Sequence, residues 1–221
     1  MRSVFFYILI VIAAFSTMAG NKEKTYPKAT LTLNDGTVID GFLRSDLHNA
    51  GGKVSVSVTP DGKKMSYKIS EINSLNVTGS DSENVMYIPI HIWDTYSKKV
   101  DKNPYLANIC FKGNHVTGYR MPAQYIRSSA AVPSSNFQSY SWKYAAWFFC
   151  YKTDDNDIIK IFYTYIPVKK APNLKSIIKD ARKNFKEYPV VAETIENEGI
   201  TAEEIIDNPC VMLEILDKSL K

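Results

Sequence analysis

Residues Trp142 to Lys152 constrain the fold more than any other stretch. Tyr144, Ala146, Phe148 and Cys150 fall on one side of an extended chain, and Ala145, Trp147, Phe149 and Tyr151 on the other. This follows because successive side chains of a strand point to opposite faces. A strand apolar on both faces belongs inside a sheet and is covered twice. Ile158 to Ile166 returns across Thr153-Asp154-Asp155-Asn156-Asp157, which reads as a hairpin. Tyr105–Phe111 and His115–Met121 flank Lys112-Gly113-Asn114 and read as another. Met86 to Trp93 alternates around Pro89, which suggests an edge position, since proline has no N–H for a ladder.

The C-terminal block supplies one cover. Asn173 opens a helix that carries Leu174, Ile177, Ile178, Ala181 and Phe185 on a single stripe, with Lys175, Lys179, Arg182, Lys183 and Lys186 over the rest. Tyr188-Pro189 starts a second helix that ends near Gly199. Thr201 and Glu204 have the spacing of a capping box, and Asn208-Pro209 reads as a fresh cap before Val211, Met212, Ile215 and Leu216. The basic helix 174–186 could lie on an anionic membrane. A solvated charged face over a buried stripe is the commoner arrangement.

The N-terminal half is built differently. Residues 29–33 and 37–43 alternate around Asn34-Asp35-Gly36, a hairpin signal. Val54, Val56 and Val58 share one face of the next run. Pro60-Asp61-Gly62 turns the chain, Lys63–Lys68 returns, Ile69–Ile72 suggests one helical turn, and Leu75-Asn76-Val77 closes the unit. Five short strands over 27–78 resemble the Sm-like and Src-homology-like small barrels. Gly41 suits a sharply bent strand there. The polar stretch 79–84 reads as a linker. The expected fold class is therefore α+β: an N-terminal five-stranded small β-barrel, then an antiparallel β-sheet unit with a C-terminal helical segment over 85–221.

Before all of this stands a leader. Met1-Arg2, an apolar run from Val4 to Phe15, and Thr17 and Ala19 before Gly20 have the three parts of a secretory signal over 1–19. The run is short for a membrane span, although an uncleaved anchor is the other reading. The protein is expected to be exported, periplasmic or secreted. With 45% apolar and 23% charged residues the chain has material for a core. Its net charge of +4, part of it from Arg2, is too small and dispersed for a nucleic-acid footprint. Cys110 and Cys150 read as buried apolar positions, with a Cys110–Cys150 bridge as the alternative, and Cys210 completes an odd count.

The leader, Leu33-Asn-Asp-Gly-Thr-Val-Ile-Asp-Gly-Phe42, the Tyr- and Phe-rich middle and the ending Phe185-Lys-Glu-Tyr-Pro-Val-Val-Ala-Glu-Thr-Ile195 together resemble uncharacterised exported proteins of the Bacteroidetes. Tyr188 stands where those proteins frequently carry cysteine before the proline. The resemblance implies no activity and no functional residues.

No motif amounts to a reaction. His48, His91 and His115 form no metal-spaced pair, and Asp154, Asp155 and Asp157 lack the glycine and later glutamate of a calcium loop. No Gly-rich phosphate loop or nucleophile elbow is present. No catalytic, cofactor or metal residue is assigned. The serine-rich stretch 122–141 is expected to be a long loop, and loops of that length tend to be functional or mobile. Its Tyr125, Arg127, Phe137 and Tyr140 are candidates to contact a partner, another envelope or secreted protein. The expected function is a non-enzymatic binding module. A hydrolase-like enzyme with a site in the aromatic second unit, and membrane association through 174–186, are the alternatives.

Overall fold

A computed structural model describes residues 25–79, 83–94, 97–128, 141–167 and 171–220. The chain is α+β, with a ten-stranded antiparallel sheet and a C-terminal helical layer. The strands are β1 (Lys28–Leu33), β2 (Val38–Leu43), β3 (Lys53–Ser57), β4 (Met65–Lys68), β5 (Ile72–Thr78), β6 (Asn84–Ile90), β7 (Trp93–Asp94), β8 (Lys99–Val100), β9 (Tyr105–Lys112), β10 (Val116–Ser128), β11 (Ser141–Thr153) and β12 (Asn156–Tyr165). The helices are α1 (Leu174–Asn184), α2 (Val190–Asn197), α3 (Ala202–Asp207) and α4 (Val211–Ser219). The large sheet runs in the order β12-β11-β10-β9-β6-β5-β1-β2-β3-β4, and β7 and β8 pair separately.

The first five strands form where alternation placed them, and a 3-10 turn at Ile69–Glu71 precedes β5. Leu31, Val54, Val56, Ile69, Ile72 and Leu75 fill a core between them. Val58 does not join Val54 and Val56. Strand β3 ends at Ser57, whose hydroxyl donates to the carbonyl of Thr59 at 2.7 Å, and this turns Ser57 inward and leaves Val58 63% exposed. Gly41 is required at its place: a Cβ there would stand 2.2 Å from the carbonyl oxygen of Ser57. The unit is not bounded as expected. Strand β5 pairs with β1 on one side and β6 on the other, so the stretch 79–84 connects two strands that pair with each other. Among the described residues no ladder joins β4 to β5.

The second half has the two-sided strand that the sequence requires. Phe149 and Tyr151 of β11 face the helices, together with Phe162, Ile178, Phe185, Val191, Leu213 and Leu216. Cys150 and Phe148 face the other way, against Ile92, Tyr119, Met121 and Ile161. Tyr151, Phe162 and Phe185 pack ring against ring, with centroids 5.0 to 5.9 Å apart. The stripe of α1 is consumed by this core: Ile177, Ile178, Ala181 and Phe185 are buried, and Lys175, Lys179, Arg182 and Lys183 are exposed. Asn173 caps α1 by accepting from the Ser176 amide at 2.9 Å. Thr201 and Glu204 form the capping box.

Two bulges adapt the sheet to the helices. Register shifts leave Cys110 unpaired in β9 and Phe162 unpaired in β12. A bulge places two successive residues opposite one. Here it brings Cys110 with Phe111, and Phe162 with Tyr163, toward the helical side. The carbonyl freed at Phe162 accepts from the Asn184 side-chain amide at 2.8 Å.

The expected loop at 122–141 is corrected at its start. Strand β10 continues to Ser128, paired with β11 through Pro122↔Trp147 and Tyr125↔Tyr144. Proline fits because the β9–β10 ladder ends at Arg120↔Asn108, so Pro122 lies on a locally open edge. Pro89 obeys the same rule, since the β5–β6 ladder ends at Leu75↔Tyr87.

Candidate functional site

A cleft of about 940 Å³ opens beside β12. Its floor is the run Ile161 to Pro167. One wall is α1, through Ile177, Asp180, Lys183 and Asn184, with Ile206 beside it. The opposite wall is Ile92, Trp93 and Asp94 of the β7–β8 hairpin, with Asp101 and Tyr105 behind. Each part is held by local chemistry. Ile92 bridges to Ile159 of β12, its carbonyl accepts from the Asp101 amide at 2.8 Å, and Trp93 pairs with Val100. Asn184 fastens α1 to the Phe162 bulge. The hairpin and the helix thus flank β12 and leave its outer edge between them. Among the described residues the Ile92↔Ile159 bridge is the only strand pairing on that edge, and β7, next in the chain, lies close beside β12.

Among the described residues, the charged groups of the cleft are mostly acidic. Asp101 Oδ2 accepts from the Tyr105 hydroxyl at 2.5 Å, and Oδ1 accepts from the Asn103 amide at 3.0 Å. The Tyr105 hydrogen bond, then the Asn103 amide, holds the Asp101 carboxyl below its ordinary value, against the opposing charge of Asp94. Burial pushes the Tyr105 phenol up to about 12, and the Asp101 hydrogen bond and charge add to this. At neutral pH Asp101 is therefore an anion with an oriented phenol beside it. Trp93, Tyr105, Tyr163 and Tyr165 supply aromatic surface, and Tyr165 is 36% exposed.

The residues singled out in the sequence lie elsewhere. Tyr125 and Arg127 belong to strand β10, opposite Tyr144 and Trp142, and not to a loop. Phe137 and Tyr140 lie outside the described residues. His91 Nδ1 lies 2.9 Å from the Asp101 carbonyl, and His115 Nδ1 lies 3.6 Å from Asp154 on the surface. Neither lines the cleft. His48 sits in a 3-10 turn (Leu47–Asn49), and its Nδ1 lies 3.1 Å from the Ala123 carbonyl and 2.9 Å from that of Ala146. Both partners only accept, so Nδ1 carries the proton. The ring meets Trp147 edge-on at 4.6 Å, and the Arg120 guanidinium lies 4.7 Å from the same indole. These contacts tie the first five strands to the second half.

Cys150 is buried beside Tyr119 and Met121, whereas Cys110 faces Cys210, with the two sulfurs 3.2 Å apart. The expected alternative pairing of Cys110 with Cys150 is not formed. Asp157 accepts from Lys152 at 3.1 Å in the β11–β12 hairpin. Among the described residues no group of three metal-ligating side chains converges, and no helix is long and apolar enough to cross a membrane. A smaller hollow of about 410 Å³ lies over Thr30, Asp40, Thr78 and Asn84. Four of its polar side chains pair with one another, Thr30 donating to Asp40 at 2.6 Å and Thr78 to Asn84 at 2.7 Å.

Sequence reading missed the cleft because its walls are far apart in the chain. Its signals were Trp93-Asp94 and the aromatic alternation Tyr163-Thr-Tyr165 before Pro167. No family model, curated protein or solved structure matches the chain.

Proposed function

We propose that the protein is a non-enzymatic binding module that takes an extended, basic segment of another protein along the outer edge of β12. One observation carries this reading: every residue from Ile161 to Pro167 lines the cleft. A strand that offers a face to a groove contributes alternate residues. An unbroken run means that the groove follows the strand edge, where outward N–H and C=O groups can pair with an added strand. Charge selects the occupant. Among the described residues of the lining, Asp94, Asp101 and Asp180 face a single lysine, Lys183, although the chain as a whole carries +4. Lysine or arginine side chains would meet the aspartates, and apolar ones the aromatic floor.

The leader supports export, and the partner would then be another envelope or secreted protein. The resemblance to exported Bacteroidetes proteins supports the same setting. The order β5-β1-β2-β3-β4 and the 3-10 turn before β5 support a small-barrel ancestry for the first unit. The buried stripe of α1 weighs against docking of that helix on a membrane.

A positional-scanning library of short fluorescent peptides tests the reading. Binding selective for lysine or arginine, abolished by backbone N-methylation of the peptide and weakened a few-fold by Asp101→Asn or Asp180→Asn, is expected. Absence of any selected peptide, or binding indifferent to N-methylation, would overturn it. Cleavage of the bound peptide would replace it with the hydrolase alternative.

A further inference from the structure

We infer that Cys110 and Cys210 are a disulfide site, a covalent staple between β9 and the start of α4. The two sulfurs lie 3.2 Å apart, although the residues are 100 positions apart in sequence. Each is aimed by its own device. Cys110 is the extra residue of the β9 bulge, which turns it to the helical side of the sheet. Cys210 is the N-cap residue of α4, with its amide donating to Asn208 Oδ1 at 3.2 Å and its carbonyl accepting from Leu213 and Glu214. The third cysteine has no route to either, because Cys150 packs on the opposite face of the sheet among Ile90, Ala107 and Met121.

The surroundings favour the thiolate of Cys210 over that of Cys110. The hydrogen bond between the two sulfurs lowers the pKa of Cys210 and raises that of Cys110, and the Arg120 charge favours the thiolate of both. A helix N-terminus acts in the same direction on Cys210. Cys110 is half-buried and Cys210 buried, so a small reagent meets Cys110 first. Burial pushes the Cys150 thiol up to about 12, and it stays protonated.

The oxidant is an aliphatic disulfide of the glutathione class. One cysteine thiolate attacks a sulfur of oxidised glutathione, breaks its S–S bond and releases one reduced glutathione. The second cysteine sulfur attacks the mixed disulfide, forms the Sγ110–Sγ210 bond and releases the second. Two thiols are oxidised, one disulfide is reduced, and the two cysteine protons end on the two glutathione thiols. The bond would fix α4, and with it Leu213 and Leu216, to the sheet. Closing so long a loop constrains the unfolded chain strongly.

The full chain, equilibrated with oxidised glutathione, is alkylated under denaturing conditions without reductant, then weighed and peptide-mapped. The expected result is alkylation at Cys150 alone, a linked Cys110–Cys210 peptide, and a Tm higher by on the order of 10 °C that dithiothreitol reverses. Cys150→Ala is expected to form the same bridge. Cys210→Ala is expected to hold one glutathione on Cys110. Three alkylated thiols in the native chain, or a bridge that includes Cys150, would overturn the assignment.

Discussion

Asp217 Oδ1 accepts from the His115 amide at 2.7 Å, so the last helix grips a hairpin 102 residues away in sequence. The same carboxylate accepts from Val116 at 2.9 Å and from Asn114 at 3.0 Å. Gly113 makes room for it, since a Cβ there would stand 2.3 Å from the Asp217 carboxyl carbon. Asp217→Ala leaves these amides to water, and because the site is half-buried the expected loss is about 1–2 kcal/mol by urea unfolding. Burial works to raise the Asp217 pKa, but the amides of His115, Asn114 and Val116 together prevail, and it lies below its ordinary 3.8. A depressed folded-state pKa gives stability that is full above the unfolded value and lost as pH falls through the folded one. The gap between wild type and Asp217→Asn is therefore expected to be widest near neutral pH and to shrink below about 3.8. A gap independent of pH would contradict this.

His48 fastens the two halves through the carbonyls of Ala123 and Ala146. His48→Ala is expected to cost about 1–2 kcal/mol. Amide exchange distinguishes a local from a general effect: residues 121–124 and 145–147 should exchange faster, and 149–151, which lie under the helices, should not. Equal acceleration throughout would mean that His48 acts by another route.

The features legible in the sequence were those that short-range physics decides. Alternation revealed both faces of β11, and the Asn173 and Thr201 caps and the α1 stripe follow from three- and four-residue spacings. Prolines were read less well. Pro89 suggests an edge, but Pro122 reads as the opening of a loop, because only the ladder lengths of β5 and β9 show that each lies beyond a neighbour's end. The Cys110 and Phe162 bulges leave no local mark, since each depends on what the helices need to contact. The cleft, the Cys110–Cys210 contact and the reach of His48 to Trp147 all join distant segments. A single chain's pattern does not encode those pairings in any window.

Gly41 offers a test of the first unit. In Gly41→Ala the new methyl would meet backbone at Ser57 rather than a yielding side chain, and the expected loss is about 1–3 kcal/mol. Val38→Ala, on an exposed site of the same strand, should change stability by less than about 0.5 kcal/mol. Equal Tm values for the two variants would show that β2 and β3 do not approach so closely.

Asn184 is expected to matter to both stability and the cleft. Asn184→Ala orphans the carbonyl at the Phe162 bulge and should cost about 1–3 kcal/mol in urea titrations. It should also weaken the selected peptide, because the bulge fixes how Tyr163 to Ile166 present their edge. Unchanged peptide affinity with lowered stability would separate α1 from the binding surface.

The most direct test of the binding reading is amide hydrogen exchange along β12, with and without the selected basic peptide. Strand addition is expected to slow alternate amides between Ile161 and Ile166, those that point away from β11, and to leave β4 at the far edge of the sheet unchanged. Protection confined to β4, or none between Ile161 and Ile166 at saturating peptide, would contradict it.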